Sequence, residues 1–395
     1  MLKSLLDCTE IQFPPAMQDG LLVLGAVLAH RLDAFLLPRQ VLLAGPTGHV
    51  GVLSFVHGVP QASTVAGVTH AQDRRLRRIL LNKAGLPTPP GITFSALGPL
   101  SLRRFVWRHG YPFVLKEAIG ENPAFKIEVS TEAELIDAVS QLRIRTEDHL
   151  APARSLVTSG YAETLLGLDE DESGRRIASA RMRLLIEKRV SGRYIRCMIC
   201  DGNVLAAIEL DKSAPQGWRD ILDQLHDGFK ILAVRAASVI LGLATASVDL
   251  IVTSQSSDPD KQKCYIVELS ERPRLDSYMD ASEDLGPRLA TALLTHQAKQ
   301  SSVSLRKPLD EIAVRICADG LPRPSELLPL LQDMCGHLGV STSAESVDGV
   351  EGGLELRLEG RPPAVALVLE TLMSGMHFNQ RAIAINVHHE QPQKS

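Results

Sequence analysis

Four stretches of the chain, met in order, gather charged residues able to do chemistry. The first opens with Asp73-Arg74-Arg75-Leu76 and runs through Leu80-Leu81 to Ala84-Gly85-Leu86-Pro87-Thr88-Pro89. The second, Gly110-Tyr111-Pro112-Phe113-Val114-Leu115-Lys116, is apolar and closes on a lysine. The third is Leu185-Ile186-Glu187-Lys188-Arg189-Val190-Ser191-Gly192-Arg193-Tyr194-Ile195-Arg196. The fourth pairs Val248-Asp249-Leu250-Ile251 with Ile266-Val267-Glu268-Leu269-Ser270-Glu271-Arg272-Pro273, so that Asp249 and Glu268 stand nineteen residues apart. Singly, each is ordinary: a strand-end lysine, two strand-end carboxylates, prolines stopping a helix. Their joint order is harder to dismiss. Other strings carry less. Cys197-Met198-Ile199-Cys200 has the spacing of a zinc or redox pair, but it lies in an alternating strand pattern without a second pair. The six scattered cysteines (Cys8, Cys197, Cys200, Cys264, Cys317, Cys335) read as reduced thiols. Gly45-Pro46-Thr47-Gly48 lacks the Lys-Ser/Thr of a phosphate loop and reads as a turn. His388 and His389 read as a solvated tail.

These residues need elements to hold them. Gln72–Ala84 has the spacing of a basic amphipathic helix, with Leu76, Ile79 and Leu80 on its apolar side, stopped by Gly85 and the prolines. Leu100–Arg108 is a short helix and Tyr111–Lys116 a strand. Thr131–Leu142 is a helix with a capping-box start at Ser130 or Thr131. Residues 143–180 read as loop and hairpin. Arg183–Lys188, Arg193–Asp201 and Val204–Glu209 are strands, the last two joined by the hairpin turn Asp201-Gly202-Asn203. Asp227–Leu243 and Leu285–Thr295 are helices, and Ser247–Val252 and Lys263–Leu269 are strands. Upstream, the strand-like pieces are Leu21–Leu28, Val41–Ala44 and Val50–Val56. Downstream of a linker at 301–307, strands Glu311–Cys317, Val340–Val347, Gly353–Leu358 and Ala382–Val387 alternate with helices Pro324–Leu338 and Pro362–Ser374. That order is βαββαβ, the ferredoxin-like arrangement.

Composition bounds the rest. The 395 residues carry 42 Lys and Arg against 46 Asp and Glu, a net charge of −4, which excludes a general nucleic-acid binder with a basic face. Aromatic residues make up 4%, too few for base-stacking platforms, and the core must be aliphatic. No unbroken apolar run approaches the ~20 residues that span a bilayer, and Leu21–Ala29 is too short, with acidic rather than basic flanks, for an export signal. The expectation is a cytoplasmic protein with no membrane and no nucleic-acid partner.

In order and spacing the four stretches resemble the ATP-grasp superfamily, in particular its cyanophycin-synthetase and D-alanine–D-alanine ligase-like branches, over residues 55–300. The first stretch matches the family's helix-to-proline segment, with Arg74 in the place of a lysine. "YPFVLK" matches the strand ending in the nucleotide lysine. "LIEKRVSGRYIR" matches the hinge strand, and "VDLI" with "IVELSERP" the metal-binding strands. The resemblance implies an α+β / α/β fold: a small α/β domain over 1–70, an ATP-grasp of two lobes over 71–300, the linker 301–307 and a ferredoxin-like domain over 308–390. It implies ATP held by Arg74, Lys116, Gly120, Glu187, Lys188, Val190 and Tyr194, with one or two Mg²⁺ on Asp249, Glu268 and Ser270. Arg196 and Lys212 would meet phosphate or acyl phosphate. The implied reaction activates a small-molecule carboxylate, such as that of an amino acid or peptide, as an acyl phosphate. An amine then displaces phosphate to give an amide, with the protein supplying position and charge.

The departures fall on nucleotide chemistry. The loop after Lys116 keeps one glycine, Gly120, includes Pro123, which has no N–H, and carries Glu117 and Glu121. Tyr194 stands for an acidic ribose ligand, Ser270 for an asparagine and Arg274 for a glycine. They leave an alternative reading, a weakened ATP-grasp protein that binds a nucleotide or ligand as a regulator or scaffold. The C-terminal piece reads as a regulatory ligand domain, a dimerisation module giving a homo-oligomer, or a cover for the grasp.

Overall fold

The computed structural model describes residues 15–96, 100–119, 126–148, 173, 183–211, 213, 217–348 and 352–390. The chain divides into two compact units, one of residues 1–62, 211–220 and 272–395, the other of residues 63–210 and 221–271. Strands β1 (Asp33–Leu37), β2 (Val41–Gly45), β3 (Leu53–Val56) and β4 (Val59–Pro60) belong to the first unit. In the second, β5 (Gly91–Ser95), β6 (Phe113–Glu117), β7 (Lys126–Val129) and β8 (Arg183–Lys188) form an antiparallel sheet in the order β5-β8-β6-β7. Next come β9 (Arg193–Cys200) and β10 (Asn203–Leu210), and then β11 (Trp218–Asp220), which belongs to the first unit. β12 (Thr245–Val252) and β13 (Cys264–Ser270) complete a second antiparallel sheet of the second unit, in the order β10-β9-β12-β13.

Strand alternation decides which residues of the first of these sheets face a core. Phe113 and Leu115 of β6 and Leu184 and Ile186 of β8 pack with Phe94, Val129 and the apolar faces of helices Leu100–His109 and Glu132–Asp148. Lys116 and Glu187 have the opposite parity and share the other face. The register pairs Lys116 with Leu185 and Val114 with Glu187, so the two charged residues are diagonal neighbours. In the second sheet Ile195, Cys197 and Ile199 of β9 and Val248, Leu250 and Val252 of β12 pack on Phe229, Leu232, Ala233 and Ala236 of helix Asp227–Ser238. Tyr194, Arg196 and Asp249 therefore share the far face. Cys197 and Cys200 are buried free thiols that burial pushes up to about 12, so they are not a thiolate pair at neutral pH. The expected hairpin turn is present, with Asp201 and Gly202 at φ of 50° and 71°.

The basic helix spans Arg74–Lys83 and is capped by Asp73, whose Oδ1 accepts from the N–H groups of Arg75 (2.9 Å) and Leu76 (3.3 Å). Its buried side differs from the expected one. Arg74, Arg77 and Leu81 are buried, whereas Ile79 is 49% exposed. Ion pairs make the burial of these arginines tolerable, as described below.

The first unit departs most from the sequence reading. Pro15–Ala29 is one helix, not a strand at Leu21–Leu28. A short apolar run gives no period that separates a buried strand from a helix buried on every side. This helix packs against helices Pro362–Ser374, Leu275–Ala281 and Leu285–Gln300. Strands β14 (Ile312–Asp319), β15 (Ser341–Asp348), β16 (Gly353–Gly360) and β17 (Ala384–His389) have the ferredoxin-like order β15-β16-β14-β17. β17 does not end the sheet. It pairs antiparallel with β1, Ala34 opposite Val387, so one eight-stranded sheet continues through β1-β2-β3-β4. The division at residue 70 and at 301–307 thus does not follow these units: an exposed β17 edge would leave its N–H and C=O groups unpaired, and β1 satisfies them.

Candidate functional site

A small cleft lies within the second unit, lined by Arg74, Arg77, Arg78, Lys116, Glu187 and Glu268 together with apolar residues of β8, β13 and the basic helix. Arginines at positions 74, 77 and 78 share one helical face by their i, i+3, i+4 spacing. The helix is anchored where it begins: Arg74 N–H donates to Ala118 O at 2.9 Å, and its Nη1 donates to Glu117 O at 2.9 Å.

Lys116 Nζ is buried among oxygens. It donates to Glu187 Oε2 at 2.8 Å and to Val267 O at 3.1 Å, and lies 3.6 Å from Glu268 Oε2. The Val267 carbonyl is available because β13 bulges there. Asp249 pairs with Glu268 and Leu250 with Ile266, so Val267 has no register partner on β12. Glu187 Oε1 accepts from Arg78 Nη1 at 2.7 Å, and Arg78 Nη2 also donates to Pro89 O at 2.6 Å. Arg77 donates to Glu268 Oε1, with Arg74 Nε 3.6 Å from the same oxygen. Burial would raise the Glu268 carboxyl, but Arg77, Lys116, Arg74 and Lys126 more than offset it and hold the group well below the usual carboxylate range. Lys126, opposite Lys116 on β7, is itself lowered by desolvation and by the Lys116 ammonium.

Asp249 lies directly opposite Glu268 on β12 and opposite Arg196 on β9. Arg196 clamps it with two bonds, Nε to Oδ1 at 2.8 Å and Nη2 to Oδ2 at 2.9 Å, and the Tyr194 hydroxyl donates to Oδ2. Burial and the Asp249 carboxylate raise the Tyr194 phenol, which stays protonated as a donor.

The structure brings together Arg74, Lys116, Glu187 and Glu268, and beside them Asp249, Tyr194 and Arg196. Ser270 is buried at the end of β13, opposite Ser247. Lys188 turns elsewhere: its Nζ donates to Gly110 O and Tyr111 O, both at 2.8 Å, because β8 alternation puts it on the side of the sheet opposite Glu187. Val190 is half-buried in the turn after β8. Gly120 and Lys212 lie outside the described residues. Sequence reading missed Arg77, Arg78 and Lys126. The helical spacing of the arginines was the available signal.

Asp249, Glu268 and Ser270 were expected to hold Mg²⁺. As arranged they do not fit it. Both Asp249 oxygens accept from Arg196 and Tyr194, Glu268 is enclosed by Arg77, Arg74 and Lys116, and a serine hydroxyl is a weak neutral ligand. Among the described residues no group of three or more His, Cys, Asp or Glu side chains is placed to hold a metal ion. No helix among them is long and apolar enough to cross a membrane.

No protein-family model matches the chain, and no curated protein matches it in sequence. Among solved structures it is similar to a D-alanine–D-alanine ligase from Bacillus anthracis, with a TM-score of 0.43 and 17% identity over 61% of this chain and 70% of the ligase. It is similar to the ATP-grasp ligase PsnB solved with a precursor peptide and AMPPNP, with a TM-score of 0.38 and 16% identity over 58% of this chain and 59% of the other. A bifunctional glutathione synthetase from Pasteurella multocida gives a TM-score of 0.39 and 12% identity over 66% of this chain and 41% of that one.

Proposed function

We propose that residues 63–271 form an ATP-grasp-type unit that binds ATP in the cleft and uses it to activate a small-molecule carboxylate for amide formation, releasing ADP. The observation that carries this reading is the convergence of Lys116 and Glu187, from one antiparallel sheet, on Glu268 of the other, within hydrogen-bond or ion-pair reach of one ammonium. These are the residue types, in the order and on the strands, that the sequence motifs call for.

In this reading Lys116 exchanges its carboxylate partners for phosphate oxygens, as a compact point charge can. Glu187 and the backbone that follows it border the purine. The substrate carboxylate oxygen attacks the γ-phosphorus and ADP leaves. The amine nitrogen then attacks the acyl carbon and gives up a proton to solvent, and phosphate leaves with the electron pair of the acyl C–O bond that breaks. Arg196 stabilises the charge on the acyl phosphate, and no side chain serves as a covalent nucleophile.

The test is ADP release by the full chain with ATP and a panel of amino acids and peptides as carboxylate and amine. We expect release with at least one pair, lowered about 100-fold by Lys116→Met, the scale of losing one well-placed charged donor. If no pair releases ADP above the rate without protein, the ligase reading is wrong.

A further inference from the structure

We propose that this cleft binds the polyphosphate of its ligand through guanidinium and ammonium groups alone, without a divalent metal ion. The inference rests on the cleft assigned above but not on the ligation chemistry. Three observations carry it.

The first is the charge of the lining. Among the described residues lining the cleft, Arg74, Arg77, Arg78 and Lys116 meet two carboxylates, Glu187 and Glu268, so cations outnumber carboxylates four to two there. Such a site is complementary to a bare polyphosphate, and chelation by Mg²⁺ would remove part of the charge that the cleft attracts. Arginine suits this role because its planar fork meets two phosphate oxygens at once.

The second is the state of the carboxylates. Glu268 and Asp249 serve as counter-ions to the protein's own cations. Asp249 is held by two Arg196 nitrogens and by Tyr194, and its side chain is 4% exposed. A metal ion bound there would have to strand a buried guanidinium, which is costly. Glu268 and Glu187, by contrast, hold Arg77, Arg78 and Lys116 in place facing the cleft, where phosphate oxygens can join them as further acceptors without stranding a cation or a carboxylate.

The third is a donor with only a long-range partner. Arg74 is more than nine-tenths buried and lines the cleft, yet its Nε makes no hydrogen bond and meets Glu268 Oε1 only at 3.6 Å. A buried N–H that lacks a hydrogen bond gains from a ligand oxygen brought within reach.

The experiment is isothermal titration of the full chain with ATP and, separately, with inorganic tripolyphosphate, each in EDTA and each in excess Mg²⁺. We expect both ligands to bind in EDTA at least as tightly as in Mg²⁺. Arg77→Gln and Arg78→Gln should each weaken metal-free binding about tenfold, as the loss of a charge-assisted hydrogen bond implies. The wild-type comparison stands even if a variant fails to fold. Binding of ATP in Mg²⁺ but not in EDTA overturns the inference and leaves the ATP-binding reading intact. Binding of tripolyphosphate but not ATP in EDTA supports the inference and removes ATP as the ligand. Binding of ATP but not tripolyphosphate in EDTA supports it with the nucleoside as a required part. No binding of either ligand in either buffer overturns both.

Discussion

Asp249 shows how much a single residue depends on its neighbours. A carboxylate on an apolar strand looks like a cation ligand, yet here Arg196 and Tyr194 take its oxygens. The Arg196 and Asp249 side chains are 12% and 4% exposed, so removing one charge leaves the other buried and unpaired. Arg196→Met should cost about 3–5 kcal/mol in urea unfolding, and adding Asp249→Asn to it should recover part of the loss. An Asp249→Asn substitution with no effect on the unfolding midpoint would refute the clamp. Glu268 makes a pH prediction. Its folded-state pKa lies below its ordinary value of 4.5, so its stabilising contribution is complete above that value and is lost as pH falls through the folded pKa. Stability of the wild type should therefore fall more steeply below about pH 4.5 than that of Glu268→Gln, as measured by denaturant midpoints across an acid series.

At the scale of elements, the basic helix and the β13 bulge do the positioning. Asp73 starts the helix in the turn that points Arg74, Arg77 and Arg78 into the cleft. Asp73→Ala should cost about 1 kcal/mol in unfolding free energy, the ordinary worth of an N-cap, and should weaken ligand binding besides. If binding stays at the wild-type value, the helix start does not position the arginines. The hairpin at Asp201-Gly202 and the strands around it were legible because turn chemistry and period-2 alternation are local signals. The bulge at Val267 was not, since it is defined by pairing with β12. The buried face of the basic helix was misread for a related reason. Apolar periodicity assumes that arginines seek water, and it cannot register two carboxylates waiting on two sheets, Glu187 on β8 and Glu268 on β13.

Across the whole molecule, the eight-stranded sheet joins the two ends of the chain in one unit. Within that unit Glu370 is buried on helix Pro362–Ser374. Burial raises its carboxyl to about 8, a hydrogen bond from Gln40 offsetting only part of the effect. The folded state thus holds this proton where the unfolded chain releases it. The stability contribution is complete below the ordinary value of 4.5 and is lost as pH rises toward 8. Glu370→Gln should raise the thermal midpoint of this unit by about 3 °C or more at pH 8 and by much less at pH 5, read in thermal scans at both pH values. Equal shifts at the two pH values would refute a buried, protonated Glu370.

The sequence by itself determined most strands and helices of the second unit, though not β5, β7 or the helix Val65–Gln72, together with the βαββαβ order of the C-terminal segment, and Lys116, Glu187, Asp249 and Glu268 as charged residues on strands. These follow from alternation, helical spacing, caps and turn residues, which act over a few neighbours. Tertiary structure alone decided that the N-terminal strands extend the C-terminal sheet, that three arginines of one helix enter the cleft, and that its carboxylates are already paired with guanidinium groups. Those outcomes depend on which groups meet across long sequence separations, Arg77 with Glu268 and β1 with β17, where burial forces every charge and every strand edge to find a partner.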